Sequence, residues 1–502
     1  MTERPNVILI FADDLGRGML SCYGQQHFDT PNIDRLANEG MKFNHAYGCA
    51  FCAPSRASML TGLHDCHEGT WTYTKAGIYK SISTGEMTLD EISELIHTTG
   101  LQAEPNDVFL AQIAEEAGYA TGQVGKLEWG FATTANRVRR HGWQYHYGYY
   151  DHQRCHGFYP PFLFEDGELK EIQGNTHVDC GKHPGTESEE NFAIRQNREG
   201  KAIYSQDIFN NKIVDYLRAH KDEPFFLYHP SQLPHGPISI PDIHPAVKDI
   251  AELTTYEKEY ASMILKLDET VGIILDELQR LGIDERTMIV FSADNGHEVY
   301  YLQRGRTSGV RRNLEGEPFD DITRKYYSEE GGDVFNGNDG MAGLKRSSLE
   351  GGTRIPFLVR MPGTIESQTE SNHMLANYDL MPTLAEITHA DLPQAKDGVS
   401  FLPTLLEQYE KQQSHDWIVY ASGLGPALVT SDGWKLRYIN KLDSFQLYQL
   451  NQDYSEENDI SSEHPDIVSR LSKLLLNACD GDYTHGTPRA HFASYPTDYS
   501  NR

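Results

Sequence analysis

The 502-residue sequence contains the stretch Phe51-Cys52-Ala53-Pro54-Ser55-Arg56-Ala57-Ser58-Met59-Leu60-Thr61-Gly62, which brings a thiol and a guanidinium close together. Pro54 suits the first turn of a helix because it lacks an N–H and its φ is already helical, and Gly62 suits the end of that helix. We therefore predict a helix to about Leu60, with Cys52 just before its N-terminus and Arg56 one turn further on the same side. Exposed N–H groups and the helix dipole favour an anion there. The stretch thus predicts a site for an anionic substrate, although a buried cysteine before an ordinary helix gives the same local pattern.

The composition indicates a large acidic protein. A chain of this length can form one large domain plus a smaller one, with a sizeable buried core. Aspartate and glutamate outnumber lysine and arginine by 73 to 44, which gives a formal net charge of −29. Nucleic acids and anionic membranes bind clustered lysine and arginine, so we expect neither as a partner. If the protein is an enzyme for anionic substrates, its active site must contain a local group of positively charged side chains within an acidic surface.

The cysteines and the N-terminal residues bear on the cellular compartment. Seven cysteines leave at least one unpaired, and their number does not decide the redox compartment. The sequence enters an apolar segment directly after Asn6, without a basic region, a long apolar stretch or a small-residue cleavage site. That segment, Val7 to Ala12, is too short to span a membrane. We expect either a cytoplasmic protein or a periplasmic or secreted one whose signal has been removed.

Two apolar segments run directly into acidic or amide side chains. Residues 7–11 precede Asp13-Asp14, and residues 288–292 precede Asp294-Asn295. Continuous apolar runs are typical of parallel strands covered on both faces, and open α/β sheets bind ligands at the carboxyl ends of such strands. Four oxygen donors suit Ca²⁺ or Mg²⁺, and the sequence shows no histidine and cysteine ligand cluster that would indicate zinc. The first pair, taken alone, is equally compatible with a solvated turn.

Two further polar residues follow predicted strands. Lys126 comes after the short strand 119–124, and His235 lies between two prolines after the strand 224–228. The prolines orient the histidine at little entropic cost, which suits proton transfer to a leaving oxygen. A lone histidine is more often structural.

One loop is a candidate for substrate binding. Residues 139–165 are rich in Tyr, His and Arg and contain a Tyr-Pro-Pro sequence. This composition suits sugar stacking and hydrogen bonding, and it is also common in rigid surface loops. Within the loop we expect His152 and Arg154 to contact the substrate.

The composition shifts after about residue 410. Short alternating segments separated by Gly, Asp and Asn predict an antiparallel sheet, and residues 467–475 predict a helix. We therefore predict two domains, a catalytic α/β domain over residues 1–410 and an antiparallel-sheet subdomain over residues 411–502. The second domain has no obvious chemical motif.

Several of these motifs resemble those of the formylglycine-dependent sulfatases, the arylsulfatase type within the alkaline phosphatase superfamily. The residues Cys52-x-Pro54-Ser55-Arg56 followed by Thr61-Gly62 resemble the first signature of this family. The family has a second signature, and this chain resembles it in the stretch Gly343-Leu344-Lys345-Arg346-Ser347-Ser348-Leu349-Glu350-Gly351-Gly352-Thr353-Arg354-Ile355-Pro356. The motifs occur in the family's order along nearly the whole chain. The resemblance implies an α/β fold with a large mixed β-sheet sandwiched by helices, and a smaller C-terminal domain with an antiparallel sheet and a helix.

The resemblance also implies a mechanism. A maturation enzyme would oxidise Cys52 to formylglycine, an aldehyde whose hydrate attacks the sulfur of a sulfate ester. Ca²⁺, in preference to Mg²⁺, would be bound by Asp13, Asp14, Asp294, Asn295 and the modified Cys52. Arg56 would hold the hydrate, Lys126 and Lys345 would hold the sulfate oxygens, and His235 would protonate the departing alcohol. Glu350 and Arg354, in the second signature, could equally form a structural ion pair.

The sequence departs from the family at one position. The family usually has Gly-Lys-Trp-His, in which both Lys and His contact the sulfate or the hydrate, whereas this chain has Gly125-Lys126-Leu127-Glu128. Because Glu128 cannot replace a cationic histidine, we expect another group, His297 or His152, to contribute there. Glu128 and His297 are also candidate substrate contacts, together with His152 and Arg154.

The preferred function from sequence is hydrolysis of a sulfate monoester on a sulfated carbohydrate. Two alternatives remain open. A phosphodiester or phosphonate ester hydrolase of the same superfamily could use the same aldehyde and metal. A non-catalytic protein that binds sulfated glycans would explain Glu128 as a sign of decay.

Overall fold

The computed structural model describes residues 4–68, 77–99, 108–128, 132–176, 187–302, 311–392 and 396–487. The strands are β1 (Asn6–Ala12), β2 (Met41–Phe43), β3 (Ala46–Tyr47), β4 (Ala120–Gly125), β5 (Tyr145–Gly148), β6 (Phe162–Glu165), β7 (Glu168–Glu171), β8 (Phe225–Pro230), β9 (Thr287–Ala293), β10 (Phe357–Arg360), β11 (Thr369–Ser371), β12 (Leu375–Ala376), β13 (Trp417–Tyr420), β14 (Ala427–Thr430), β15 (Trp434–Ile439) and β16 (Ser444–Gln449).

The helices connect these strands. They are α1 (Pro31–Asn38), α2 (Cys52–Thr61), α3 (Lys80–Thr84), α4 (Leu89–Thr99), α5 (Leu110–Glu116), α6 (Ala135–Arg140), α7 (Glu189–Gln196), α8 (Ser205–Ala219), α9 (Pro245–Lys248), α10 (Thr255–Leu281), α11 (Ser328–Gly331), α12 (Glu350–Thr353), α13 (Leu380–Thr388), α14 (Leu402–Leu405) and α15 (Pro465–Ala478). Among the described helices, none is both long enough and apolar enough to cross a bilayer.

A ten-stranded mixed sheet forms the centre of the molecule, with the strand order β11-β2-β10-β9-β1-β8-β4-β5-β6-β7. The five central strands, β9 to β5 in this order, are parallel to one another. Every residue of β1, β8 and β9 is buried, as their continuous apolar sequences predict. The carboxyl ends of β9, β1, β8 and β4 therefore lie side by side at one edge of the sheet.

Helices pack on this sheet in two groups. The 27-residue α10 contacts α1 and α8, and it is bounded by a capping box at Thr254 and Glu257 and by Gly282 with φ of 69°. A second group consists of α2, α5 and α13, which contact one another. The helix bearing Cys52 begins at Cys52 itself rather than one residue later, and it ends at Gly62 with φ of 71°, as predicted.

A smaller antiparallel sheet with the order β13-β14-β15-β16 follows the large one, and α15 packs against β14 and β15. The predicted fold class is therefore confirmed, while the domain boundary at residue 410 stays a prediction. A buried charge network joins this sheet to α12. Glu350 lies 2.6 Å from Arg354 and 2.8 Å from Lys435, and Lys435 lies 2.9 Å from Glu456. Glu350 and Arg354 thus form a structural ion pair, which was one of the two interpretations that the sequence allowed.

Candidate active site

The carboxyl ends of β1 and β9 bring four oxygen-bearing side chains together. Because the two strands pair in parallel and in register, the residues that follow them are neighbours. The Asp14 N–H donates to Asp294 Oδ1 at 3.0 Å, and Asn295 Nδ2 donates to Asp14 Oδ1 at 2.9 Å. Asp13 completes the set, and all four residues are fully buried. A solvated turn is therefore excluded for both pairs.

Arg56 ties α2 to this acidic set. Its Nη2 and Nε groups donate to Asp294 Oδ2 at 2.7 and 3.2 Å, and its Nη1 lies 3.3 Å from the hydroxyl of Tyr228 on β8. The guanidinium is buried, with its side chain 1% exposed. An arginine that makes several charge-assisted bonds of this kind holds the N-terminal part of the helix in a fixed position against the sheet.

Two lysines neutralise the other two carboxylates. Lys126, just after β4, contacts Asp13, and Lys345 Nζ lies 2.7 and 2.8 Å from the two oxygens of Asp14. Burial raises the pKa of Asp13, and the charge of Lys126 opposes this effect only in part. Burial also acts upward on Asp14, but Lys345 outweighs it and holds the pKa of Asp14 well below its usual value. The site therefore contains three carboxylates and three cations in close contact.

Cys52 lies at the buried start of α2, within this charged site. Its Sγ, an oxygen of Asp13 and an oxygen of Asp294 all lie within 4.8 Å of one another. His152 Nε2 is 3.8 Å from the same sulfur. Burial raises the pKa of the Cys52 thiol, and the nearby lysines offset this only in part. The unmodified side chain is therefore a protonated thiol near neutral pH, which is a poor nucleophile.

His235 faces the site from the loop after β8. Its Nδ1 donates to the carbonyl of Gly236 at 2.5 Å, so its Nε2 is the nitrogen that faces Lys345 Nζ at 3.3 Å and Asp14 Oδ2 at 3.4 Å. Burial lowers the pKa of His235 well below its usual value, although Asp14 acts in the opposite direction. The imidazole is therefore neutral, with an Nε2 that accepts a hydrogen bond from Lys345.

The loop after β5 supplies more of the site than the sequence indicated. The His156 ring stacks on the His235 ring with the centroids 3.7 Å apart, and His156 lies within reach of Asp13 as well. His152, Cys155 and His156 also place their ligand atoms within 4.8 Å of one another. The expectation that the chain has no histidine and cysteine cluster is therefore wrong. The spacing of the His-x-x-Cys-His sequence could have indicated this cluster. That the cluster lies next to Cys52 is visible only in the fold.

Glu128 does not face the site. Its carboxylate accepts hydrogen bonds from His141 Nδ1 at 2.8 Å, Trp143 Nε1 at 3.1 Å and Thr133 Oγ1 at 3.1 Å, all within a fully buried network. Burial raises the pKa of Glu128, but the charge and hydrogen bond of His141 outweigh it, so the net pKa is lowered. The prediction that Glu128 contacts the substrate is corrected, because its oxygens bind these three donors instead.

The two histidines offered for the missing family histidine differ in position. His152 contacts Cys52, whereas His297 is fully buried and its Nε2 forms a hydrogen bond with the hydroxyl of Tyr301 at 2.9 Å. Of these two alternatives the structure therefore favours His152, while the role itself stays a prediction. Arg154 lies with its guanidinium 3.7 Å from the centre of the Phe162 ring, and its contact with substrate stays a prediction.

Family models match nearly the whole chain. A model described as Sulfatase matches residues 5–390, and one described as N-sulphoglucosamine sulphohydrolase, C-terminal, matches residues 342–480. Together with the mixed sheet and its site, these matches define a hydrolase of the alkaline phosphatase superfamily. Within that superfamily the chain belongs to the sulfatase family, and it is an enzyme that hydrolyses sulfate esters.

Individual proteins show the same relationship. An N-acetylgalactosamine-6-O-sulfatase of Bacteroides thetaiotaomicron is 29% identical, over 94% of this chain and 93% of its own. Human arylsulfatase A is 28% identical over 80% of this chain and 68% of its own. A solved sulfatase structure from work on the metabolism of multiple glycosaminoglycans by Bacteroides thetaiotaomicron is 27% identical, with a TM-score of 0.69. It covers 95% of this chain and 100% of that one.

Proposed function

We propose that this sulfatase removes sulfate from a sulfated carbohydrate, with formylglycine made from Cys52 and with Ca²⁺ bound by Asp13, Asp14, Asp294 and Asn295. The observation that carries the proposal is the position of the Cys52 thiol, which lies within 4.8 Å of carboxylate oxygens of Asp13 and Asp294. The carbohydrate is supported by the similarity to an N-acetylgalactosamine-6-O-sulfatase and by the aromatic and histidine-rich loop next to the site.

The donor set fits a hard divalent cation. Asp13 Oδ1 and Asn295 Oδ1 are buried and have no hydrogen-bond partner among the described residues, so both are available as ligands. Three carboxylates and three cations, Arg56, Lys126 and Lys345, sum to zero charge. A divalent ion would make the site net positive, which suits a sulfate ester. Bound there, calcium supplies Lewis-acid polarisation of a sulfate oxygen.

Formylglycine supplies an aldehyde, and hence a nucleophilic hydroxyl, in place of a thiol that burial keeps protonated. The surrounding side chains are suited to orient it. Arg56 is fixed by Asp294 at the start of the second turn of α2, and His152 Nε2 points at the side chain of residue 52 from the opposite loop. We assign to His152 the acceptance of the proton that the nucleophile loses.

The lysines and His235 act on the other end of the reacting ester. Lys126 and Lys345 lie in the site in contact with Asp13 and Asp14, and we assign to them the contacts with the sulfate oxygens. His235 Nε2 lies 3.3 Å from Lys345 Nζ, and this pair provides the proton for the departing sugar oxygen. The stacked His156 ring keeps His235 facing the site.

Of the two alternatives, the structure weakens one, and substrate preference tests the other. A binding protein without activity would explain Glu128 as a decayed position, but Glu128 is bonded to His141, Trp143 and Thr133 and so has a structural role. A phosphodiester or phosphonate ester hydrolase could use the same site. Turnover of an aryl sulfate should exceed that of aryl phosphate diesters and phosphonates, and the opposite preference would overturn the proposal.

The carbohydrate is tested with sulfated sugars of known position. We expect release of inorganic sulfate from glycosaminoglycan fragments, with N-acetylgalactosamine 6-sulfate tested first and the 4-sulfate as its positional control. Cys52→Ala is the inactive variant. Cys22→Ala is the matched control, because Cys22 is only half-buried and hydrogen-bonds to Asp34 near α1. Activity on aryl sulfates with no activity on any sulfated sugar would refute the carbohydrate assignment.

A further inference from the structure

Two cysteines outside the active site lie where the loop after α2 meets the end of α15. Cys66 follows α2, and Cys479 directly follows α15. Both side chains are fully buried and belong to one apolar cluster with Leu471 and Leu475. The residues next to them are hydrogen-bonded, since the Glu68 N–H donates to a carboxylate oxygen of Asp480. The two cysteine side chains are therefore neighbours in one buried cluster. The raised pKa of the Cys66 thiol, to which burial and Cys479 both contribute, agrees with this placement.

The residues that follow each cysteine hold the two segments together. The Glu68 N–H donates to Asp480 Oδ2 at 2.8 Å, and His67 Nδ1 lies 3.1 Å from the same oxygen. His67 Nε2 lies 3.1 Å from Asp397, which also accepts a hydrogen bond from the His64 N–H at 2.8 Å. The loop is thus anchored on both sides of Cys66, which keeps the Cys66 side chain beside the end of α15 where Cys479 lies.

We propose that Cys66 and Cys479 form a disulfide that joins the helix bearing Cys52 to the small C-terminal sheet. One cysteine, as its thiolate, attacks glutathione disulfide and releases one glutathione, and the other cysteine then displaces the second glutathione from the mixed disulfide as the sulfur–sulfur bond forms. Two electrons and, overall, the two thiol protons pass to the two glutathione thiols. The bond closes a loop that spans most of the chain, and cross-links of this kind stabilise mainly by restricting the unfolded state. Because both thiols are buried, the bond forms most readily while the chain folds.

Cys49 is the competing partner. It is buried in the same region, and its thiol interacts with the side chains of Asp65, Ser58 and Asn377. Cys49 does not belong to the apolar cluster that contains both Cys66 and Cys479, so Cys479 is the better-placed partner. A Cys49–Cys66 bond is therefore the outcome that would contradict the assignment.

Peptide mapping of the full-length chain tests the proposal. The protein is produced in an oxidising compartment and, separately, purified in reduced form and incubated with glutathione disulfide. Remaining thiols are blocked with N-ethylmaleimide before digestion. We expect a cross-linked peptide pair containing Cys66 and Cys479 that disappears on reduction. Recovery of both cysteines as maleimide adducts in both samples, or of Cys66 joined to Cys49, would overturn the proposal.

Thermal unfolding provides the second measurement. Reduction should lower the unfolding midpoint of the oxidised wild-type protein by several degrees and should leave that of Cys479→Ala unchanged. Cys22→Ala, which lies outside this cluster, should respond to reduction as the wild type does. A Cys479→Ala protein that keeps the reductant-dependent shift would show that another pair carries it.

Discussion

The family has a histidine at the position of Glu128, and we propose that His152 takes over its role in this chain. Replacing His152 is the sharpest test of that proposal. The His152 Nε2 lies 3.8 Å from Cys52 Sγ, which is a long hydrogen-bond contact to sulfur. A positioned acid–base group contributes roughly 100- to 10,000-fold to a rate. Since the contact is long before substrate binds, we expect His152→Ala to lower kcat by roughly 100- to 1,000-fold, or about 3–4 kcal/mol.

The assay follows sulfate release from an aryl sulfate at saturating substrate. His297→Gln is the matched control, since that side chain bonds to Tyr301 and should lower stability more than kcat. Added imidazole should partly restore His152→Ala, because His152 is only half-buried. The mass of the residue 52 peptide is measured in each variant to separate chemistry from maturation. A His152→Ala enzyme with wild-type kcat and the modified residue 52 would refute this role.

Three further perturbations test the metal site, the Glu128 network and the C-terminal packing. Asp294→Ala removes a predicted calcium ligand and the ion-pair partner of Arg56. It should therefore lower the amount of bound calcium and reduce kcat more than about 100-fold. An unchanged calcium content of the purified protein, measured by elemental analysis, would show that the ligand set is wrong. Glu128→Gln should lower the free energy of unfolding in urea by about 3 kcal/mol while kcat is largely retained, because it disrupts the buried pair with His141; a stable but inactive variant would return Glu128 to the site. Burial lowers the pKa of His415, but the charge of Asp379, 2.8 Å away, outweighs it and raises the pKa overall. The stability that this pair contributes is therefore complete below the unfolded pKa of about 6.5 and is lost as pH rises through the higher folded value. His415→Gln should then destabilise the protein more at about pH 6 than at about pH 9, and an equal loss at both would contradict a charged pair.

The parts of the fold that sequence predicts well are the buried strands and the residues at their ends. The apolar segment 7–11 is β1 in the structure, and the segment 288–292 is β9, each extended by one residue at either end. A short, continuously apolar segment is typical of a strand that is buried on both faces. Because β1 and β9 pair in parallel, Asp13 and Asp294 then lie close together at their carboxyl ends. The helix at Cys52 was equally predictable, because a proline lies in its first turn and a glycine follows its last residue.

The histidines were less predictable because their directions depend on loops. His152 and His156 lie in a segment without periodicity, and only its path after β5 brings them to Cys52 and His235. Glu128 follows Lys126 by two residues, yet its carboxylate turns away from the site toward His141. Motif spacing records which residues are near in sequence, whereas the direction of each side chain depends on partners far along the chain.

The central claim is that residue 52 is a converted cysteine at the metal site. The most direct test is the mass of the peptide containing Cys52, taken from protein made in its native host. We predict a peptide lighter than the cysteine form by about 18 Da, the loss expected when the thiol becomes an aldehyde. Cys22, which is outside the site, should keep the mass of an unmodified cysteine in the same digest. Active enzyme in which Cys52 retains its full thiol mass would contradict the account.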